Sequence, residues 1–411
     1  MSIHRAVLSQ GRANLALAAL FLGAFVTGTA ELMVVGVLNL IAADLDVPVP
    51  AAGALVTANA LGLAIGGPIL TALTIRLNKR AVLIATLVLF VLANLVLVLA
   101  ADYGLFVAAR ALAGAAQGLF IAAGFTAGIS LVPPERMGRA ISVVISGVTV
   151  SAALGVPVGT LAGQAVSWRG SFTAVVVLTV IALVAVLVLI PSVPAGGGGF
   201  GDQARHAFAP RVLAVLALNF LVFASLFAVV TYIVPFLESV TGVSGALISV
   251  FLLAYGVATA VGSFGGGRFA DRNATRTLIV ATSGVVVSLL VLYLVGAVPF
   301  LVASVLLALG MFGMGMVPSL QYRVVSLAGP GGQLAQSLPV SAANLGIAFG
   351  SAAGGMAIGA FTASATVVTG LAIAVVAAVV AWATGFLRPP AAGSAVTRTG
   401  GQEGDRVLGS V

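Results

Sequence analysis

Residues 76–120 read RLNKRAVLIATLVLFVLANLVLVLAADYGLFVAARALAGAAQGLF. Arg76, Lys79 and Arg80 lead into an uncharged run over 81–101, which Asp102 ends. A second apolar run follows, and it holds one charge, Arg110. About twenty apolar helical residues cover the ~30 Å hydrocarbon core of a bilayer. The stretch therefore predicts a basic turn, a spanning helix, an acidic turn and a second spanning helix.

The same pattern extends in both directions. Of the 411 residues 61% are apolar and only 7% charged, against about 25% charged in a soluble domain. Mean hydropathy is +1.23. These values exclude a soluble enzyme, a disordered chain and a disulfide scaffold. Apolar runs fall at 15–40, 51–75, 81–101, 103–131, 140–165, 171–190, 212–237, 246–266, 277–296, 298–320, 337–360 and 365–387. The expected fold is an all-α membrane protein of twelve transmembrane helices. The third, sixth, ninth and twelfth runs are nearly unbroken Val, Leu, Ala and Ile, as lipid-facing spans are; the polar residues and most glycines fall in the others.

Residue types remove further classes. There is no cysteine, so no thiolate nucleophile or thiolate metal site exists. The two histidines, His4 and His206, lie outside the apolar runs. The one lysine, Lys79, is followed by Arg80, so no Walker A loop can form. No metal, cofactor or enzymatic activity is expected. Uphill work would draw on an ion gradient or a partner subunit.

Threading twelve spans from a cytoplasmic N-terminus sorts the charges. Arg5, Arg12, Arg76, Lys79, Arg80, Arg136, Arg139, Arg205, Arg211, Arg268, Arg272, Arg276, Arg323, Arg388, Arg398 and Arg406 then fall inside. Arg169 falls outside, with Asp44, Asp46, Asp102 and Glu238. This positive-inside asymmetry accounts for the net charge of +8 without nucleic acid. It predicts a multi-pass protein of the bacterial cytoplasmic membrane with both termini cytoplasmic.

The Gly- and Pro-rich segment 191–210 sits at the midpoint and reads as a linker. The expected organisation is a six-helix bundle over 1–190, a cytoplasmic linker over 191–210, a second bundle over 211–387 and a disordered cytoplasmic tail over 388–411. The halves repeat weakly. At an offset of 196, Gly66 meets Gly262, Arg76 meets Arg272 and Arg80 meets Arg276. Two parallel six-span repeats place a substrate site at their interface.

Four motifs carry a resemblance. Gly267-Arg268-Phe269-Ala270-Asp271-Arg272, with Arg276 following, lies after the eighth span; its first-half counterpart is degraded, with Thr71 and Ile75 in place of Gly and Asp. Arg110, Gly114 and Gly118 form an Arg-x-x-x-Gly-x-x-x-Gly row in the fourth span. Gly147, Gly155, Pro157, Gly159 and Gly163 punctuate the fifth, and Gly28-Thr29-Ala30-Glu31-Leu32 lies in the first. Together they resemble the major facilitator superfamily over nearly the whole chain, and within it the twelve-span drug:proton antiporters of the chloramphenicol and arabinose exporter type. That resemblance implies two pseudo-symmetric six-helix bundles that work by alternating access. It implies a cytoplasmic latch of Asp271, Arg272 and Arg276, with Arg76 and Arg80 in the first half. It implies an antiporter-type helix motif at Gly147, Gly155, Pro157 and Gly159, bending the fifth span so that it rocks against its partner in the other half.

Glu31 is the one carboxylate deep within a run, and Arg110 lies ~12 Å below the outer end of its own. Both are costly in hydrocarbon unless paired or hydrated. A carboxyl in low dielectric near an arginine changes its proton occupancy with its surroundings. Glu31 and Arg110 are therefore expected to couple protons to transport. Phe220, Phe223 and Phe227 share a helix face, as do Phe251 and Tyr255. With Asn59, Gln117, Asn219 and Asn344 they form the expected cavity wall, suited to an amphiphilic, uncharged compound. The expected partners are a small-molecule substrate, protons and the lipid bilayer, with the protein a monomer. The leading reading is proton-coupled export of amphiphilic molecules, chloramphenicol-like antibiotics among them. Export of sugars or another metabolite, and a non-transporting sensor or scaffold, are the alternatives.

Overall fold

The computed structural model describes residues 9–74, 76–133, 136–193, 208–328, 335 and 338–388. Among them, eleven helices are long and apolar enough to cross a bilayer, and one bent pair makes a twelfth. They are α1 Gln10–Gly36, α2 Val49–Leu73, α3 Lys79–Leu99, α4 Tyr103–Ser130, α6 Trp168–Leu189, α7 Pro210–Ser239, α8 Ala246–Ala270, α9 Arg272–Val295, α10 Pro299–Ala328, α11 Leu338–Ala360 and α12 Ala363–Thr384. The bent pair is α5, which runs Met137–Val150, a wide π-turn Ser151–Gly155, then Val156–Ala165. Its arms meet at 43°. Pro157 cannot supply the amide a regular helix needs there, and the π-turn absorbs the break. A short helix, Leu38–Asp44, continues α1. The expected linker and tail lie largely in 194–207 and 389–411, outside the described residues.

Polar residues fix where the helices begin. The Asn78 side chain accepts from the Arg80 amide at α3, and Asp102 accepts from the Leu105 amide at α4. Ser167 does the same for Gly170 at α6. In the first turn of α9 the chain bends at Asn273, whose backbone is extended and whose Oδ1 accepts from the Arg276 amide at 2.9 Å.

The helices pack as two bundles. In the first, α1 packs against α4, α5 and α6, and α4 against α2 and α3. In the second, α7 packs against α11 and α12. The halves also share their close approaches. A Cβ on Gly66 would strike Ala115, and one on Gly262, 196 residues later, would strike Met311. Gly114 lies on the Asn59 carbonyl, and Gly310 on the Tyr255 carbonyl. At an offset of 199, Gly147 lies on the Phe21 carbonyl and Gly346 on the Phe220 carbonyl. The weak repeat in the sequence is thus a repeat of backbone contacts, which side chains elsewhere are free to vary around.

The halves meet through α2 against α11 and α5 against α8. These contacts gather toward the ends that carry Asp44, Asp102 and Glu238. There Thr57 donates to the Ala348 carbonyl at 3.5 Å and Ser351 to the Gly53 carbonyl at 3.1 Å. Asn39 donates to the Glu238 carboxylate, joining two residues 199 apart. Tyr232, fully buried, fills the space over Gly53 and donates to the Ser351 carbonyl at 2.9 Å.

Exposure along α1 and α7 shows the other end. Leu15 is 55% and Leu213 45% exposed near the basic ends. Phe21, Phe25, Phe220 and Phe227 are half-buried further along, and Val26–Ala30 and Ala228–Leu237 are buried. Both helices are wrapped by their own bundles and meet each other at their acidic ends. The space between the halves therefore widens toward the basic end and is sealed at the acidic one.

Candidate polar site in the first half

Glu31 and Arg110 come together because α1 packs against α4, Gly23 of α1 lying on Phe120 of α4. Arg110 is fully buried, and its guanidinium donates to the Ala30 carbonyl at 2.9 Å and the Glu31 carbonyl at 3.2 Å. The arginine thus binds the α1 main chain, where carbonyls have a second lone pair to offer. The carboxylate has a different partner: Gln117 Nε2 donates to Glu31 Oε2 at 2.6 Å. Gln117 is 1% exposed, whereas Glu31 is half-buried and keeps part of its surface accessible. Arg110 Nε, Gln117 Oε1 and Asn59 Nδ2 are buried without a partner among the described residues. Asn59 sits on α2 where Gly114 of α4 presses its backbone. Three unspent hydrogen-bonding atoms thus lie on α2 and α4, two of them on the residues that hold Glu31, although buried polar groups are normally satisfied.

The other amides expected in the cavity are placed differently. Asn219 is buried and donates to the Pro339 carbonyl at 2.6 Å, tying α7 to α11. Asn344 donates to Val340 of its own helix and leaves Oδ1 unpartnered. Phe223 and Phe227 stack at 6.5 Å, and Phe220 lies 5.5 Å from Phe349. Tyr255 is half-buried on α8. The pair Phe21 and Phe25, stacked at 6.4 Å on α1, escaped the sequence reading. The offset of 199 that pairs Phe21 with Phe220 was the available signal.

The glycines of α5 line its contact within the first half: Gly147 lies on Phe21, Gly155 on Thr29 and Gly159 on Met33, all in α1. Spacing by four places them on one stripe, and that stripe faces the neighbour in the bundle. Ala152 and Ala153 take part in the contact to the other half, against Gly256 of α8.

Arg76, Arg272 and Arg276 are exposed at the basic end. Arg80 donates to the Leu187 carbonyl at 2.6 Å, closing the end of α6. The latch expected of Asp271 turns on a side chain outside the described residues.

Twelve spans in two repeated bundles, a space open at one end and a buried polar cluster beside it define a membrane transporter. Residues 20–338 match the family model of the Major Facilitator Superfamily, and the chain belongs to that family. It is 35% identical over 357 residues to the inner membrane transport protein YdhP of Escherichia coli (strain K12), covering 84% of this chain and 90% of that one. It is 32% identical over 328 residues to a chloramphenicol resistance protein of Streptomyces lividans, covering 79% and 84%. The fold is that of a bacterial homologue of the human lysosomal transporter Spinster, crystallised in an inward-facing, unoccupied conformation. The TM-score is 0.77 at 16% identity, over 92% of this chain and 98% of that one.

Proposed function

We propose that the protein is a proton-coupled exporter of small amphiphilic molecules, chloramphenicol-like antibiotics among them. The observation that carries this reading is Glu31: a half-buried carboxyl inside a span, held by Gln117, beside a fully buried Arg110. A carboxyl so placed can exchange a proton, and its cost in hydrocarbon argues against a passive role. The aromatic rows on α1 and α7 suit an apolar body with few polar groups. The likeness to a chloramphenicol resistance protein supports that substrate class.

With the basic loops in the cytoplasm, the structure corresponds to an inward-facing state. Substrate enters from the cytoplasmic or inner-leaflet side between α1 and α7. Opening of the acidic end, at Tyr232 and the Asn39–Glu238 contact, releases it outside and admits a proton to Glu31. Return to the inward-facing state discharges that proton into the cytoplasm. The test is uptake into everted vesicles under an imposed proton gradient, with chloramphenicol, dyes and arabinose as probes. Gradient-driven accumulation of a drug, lost in Glu31→Gln, is the expected result. Movement of arabinose with no drug accumulation shifts the reading to metabolite export, and drug accumulation indifferent to Glu31→Gln moves the proton site elsewhere.

A further inference from the structure

We propose that Gln117 is the positioning residue for the Glu31 carboxyl, holding it in both of its protonation states, and is not a substrate contact. The inference rests on the proton-coupling reading of Glu31 and extends it. Gln117 follows Arg110 by seven residues on α4, two helical turns, so both side chains point at α1. Its Nε2 is 2.6 Å from Glu31 Oε2. Its 1% exposure leaves no surface to offer a substrate. Arg110 is engaged with the main-chain carbonyls of Ala30 and Glu31, so the carboxyl's direct partner is the amide.

The amide is suited to this role by its chemistry. A charged carboxylate only accepts hydrogen bonds, whereas a protonated one must also donate. Gln117 meets the first state with its NH2 group. Its Oε1, buried and unpartnered, is the acceptor that the second state requires. Rotation of the terminal amide exchanges the two, so Glu31 can take or release a proton without breaking the tie between α1 and α4. A lysine or arginine at this position could donate to the carboxyl but could not accept from its protonated form.

Few other charges enter this account. Arg12 lies at the far end of α1 and Asp44 at the end of the short helix that continues it, and α2 carries no ionisable side chain within Val49–Leu73. On α4 only Arg110 and Tyr103 can titrate, and Tyr103 donates to the Ala51 carbonyl at the acidic end. Arg139 on α5 and Arg169 on α6 sit at helix ends, as do Arg211 and Glu238 on α7, where Tyr232 lies within the acidic-end seal. Arg110 is thus the charged group that shares the site.

The test needs no substrate. Full-length protein in lipid bilayers is titrated with pH while the carbonyl stretch of protonated carboxylic acids is followed by difference infrared spectroscopy. Glu31→Gln identifies the Glu31 band. Gln117→Met keeps the shape and removes the hydrogen bond; Gln117→Asn, one methylene shorter, is the second variant should the first fail to fold. Gln117→Met removes a bond from each state, and because the bond to the charged carboxylate is the stronger of the two, the Glu31 midpoint shifts to higher pH by about one unit, tenfold in proton affinity, and the band frequency moves. An unchanged midpoint and frequency in a folded Gln117 variant overturn the positioning role alone. Absence of any band that Glu31→Gln removes overturns the proton reading and this inference together.

Discussion

The two halves of this transporter share a backbone plan and differ in chemistry. Gly147 on Phe21 and Gly346 on Phe220 are the same contact made twice, 199 residues apart. Yet the positions equivalent to Glu31, Arg110 and Gln117 in the second half are Val230, Leu306 and Gly313. Leu306 and Val230 are buried among apolar side chains. The difference teaches that the repeat keeps what lets helices approach, while at these three positions one copy alone carries polar groups. The irregular turns divide the same way. Described π-turns lie at Gly62–Gly66 in α2 and Ser151–Gly155 in α5, the first-half helices that pack against α11 and α8 of the other half. Their partners α8 and α11 are regular helices across the contact.

The sharpest way to break this comparison is to exchange the halves' residues. Arg110→Leu gives the first half what the second half has. Gradient-driven transport is expected to fall to background in vesicles while the protein still folds, since an apolar residue suits the membrane interior. The reverse change, Leu306→Arg, buries a cation with no carboxyl or free carbonyl prepared for it. Its cost is about 3 kcal/mol, read as a marked drop in Tm and yield. Full transport by Arg110→Leu would reduce the arginine to a dispensable helix tie.

A smaller and symmetric effect is expected at the shared seams. Gly147→Ala and Gly346→Ala each push a methyl into a backbone carbonyl of the adjacent helix. Each is expected to cost about 1–3 kcal/mol, because packed interiors do not yield freely. Thermal unfolding of both variants checks it. Similar losses uphold the common plan; a loss confined to one half would show that the matching contacts differ in rigidity.

Much of this architecture was legible before any coordinates. The spans follow from hydropathy, and Glu31 and Arg110 stand out because charge is costly in an apolar run. The repeated glycines were visible too, but their neighbours were not. A spacing of four defines a stripe on α5 without saying whether α1 or α8 lies against it. The amides were equally ambiguous. Asn219 and Gln117 look alike in the sequence, yet one ties helices through a carbonyl and the other holds a carboxyl. Composition shows that a buried amide needs a partner; only tertiary packing supplies it. Asn39 and Glu238 stood at separate span ends, and only the crossing of α1 and α7 makes them neighbours.

That crossing gives the smallest expected effect, and it asks whether equivalent positions in the two halves act on each other directly. Asn39 and Glu238 meet where α1 and α7 converge, so their hydrogen bond exists only while the acidic end is closed. Removing either partner favours opening by about 1 kcal/mol, the net worth of one hydrogen bond. The chain has no cysteine, so a single Thr57→Cys, placed where α2 meets α11, reports opening through its labelling rate from outside. Asn39→Ala and Glu238→Ala are each expected to raise that rate about fivefold. The double variant is expected to go no further than either single one, because both remove the same bond. Additive effects would mean that the two residues hold the seam through separate contacts, and that the halves are joined at α2 and α11 rather than at the crossing of α1 and α7.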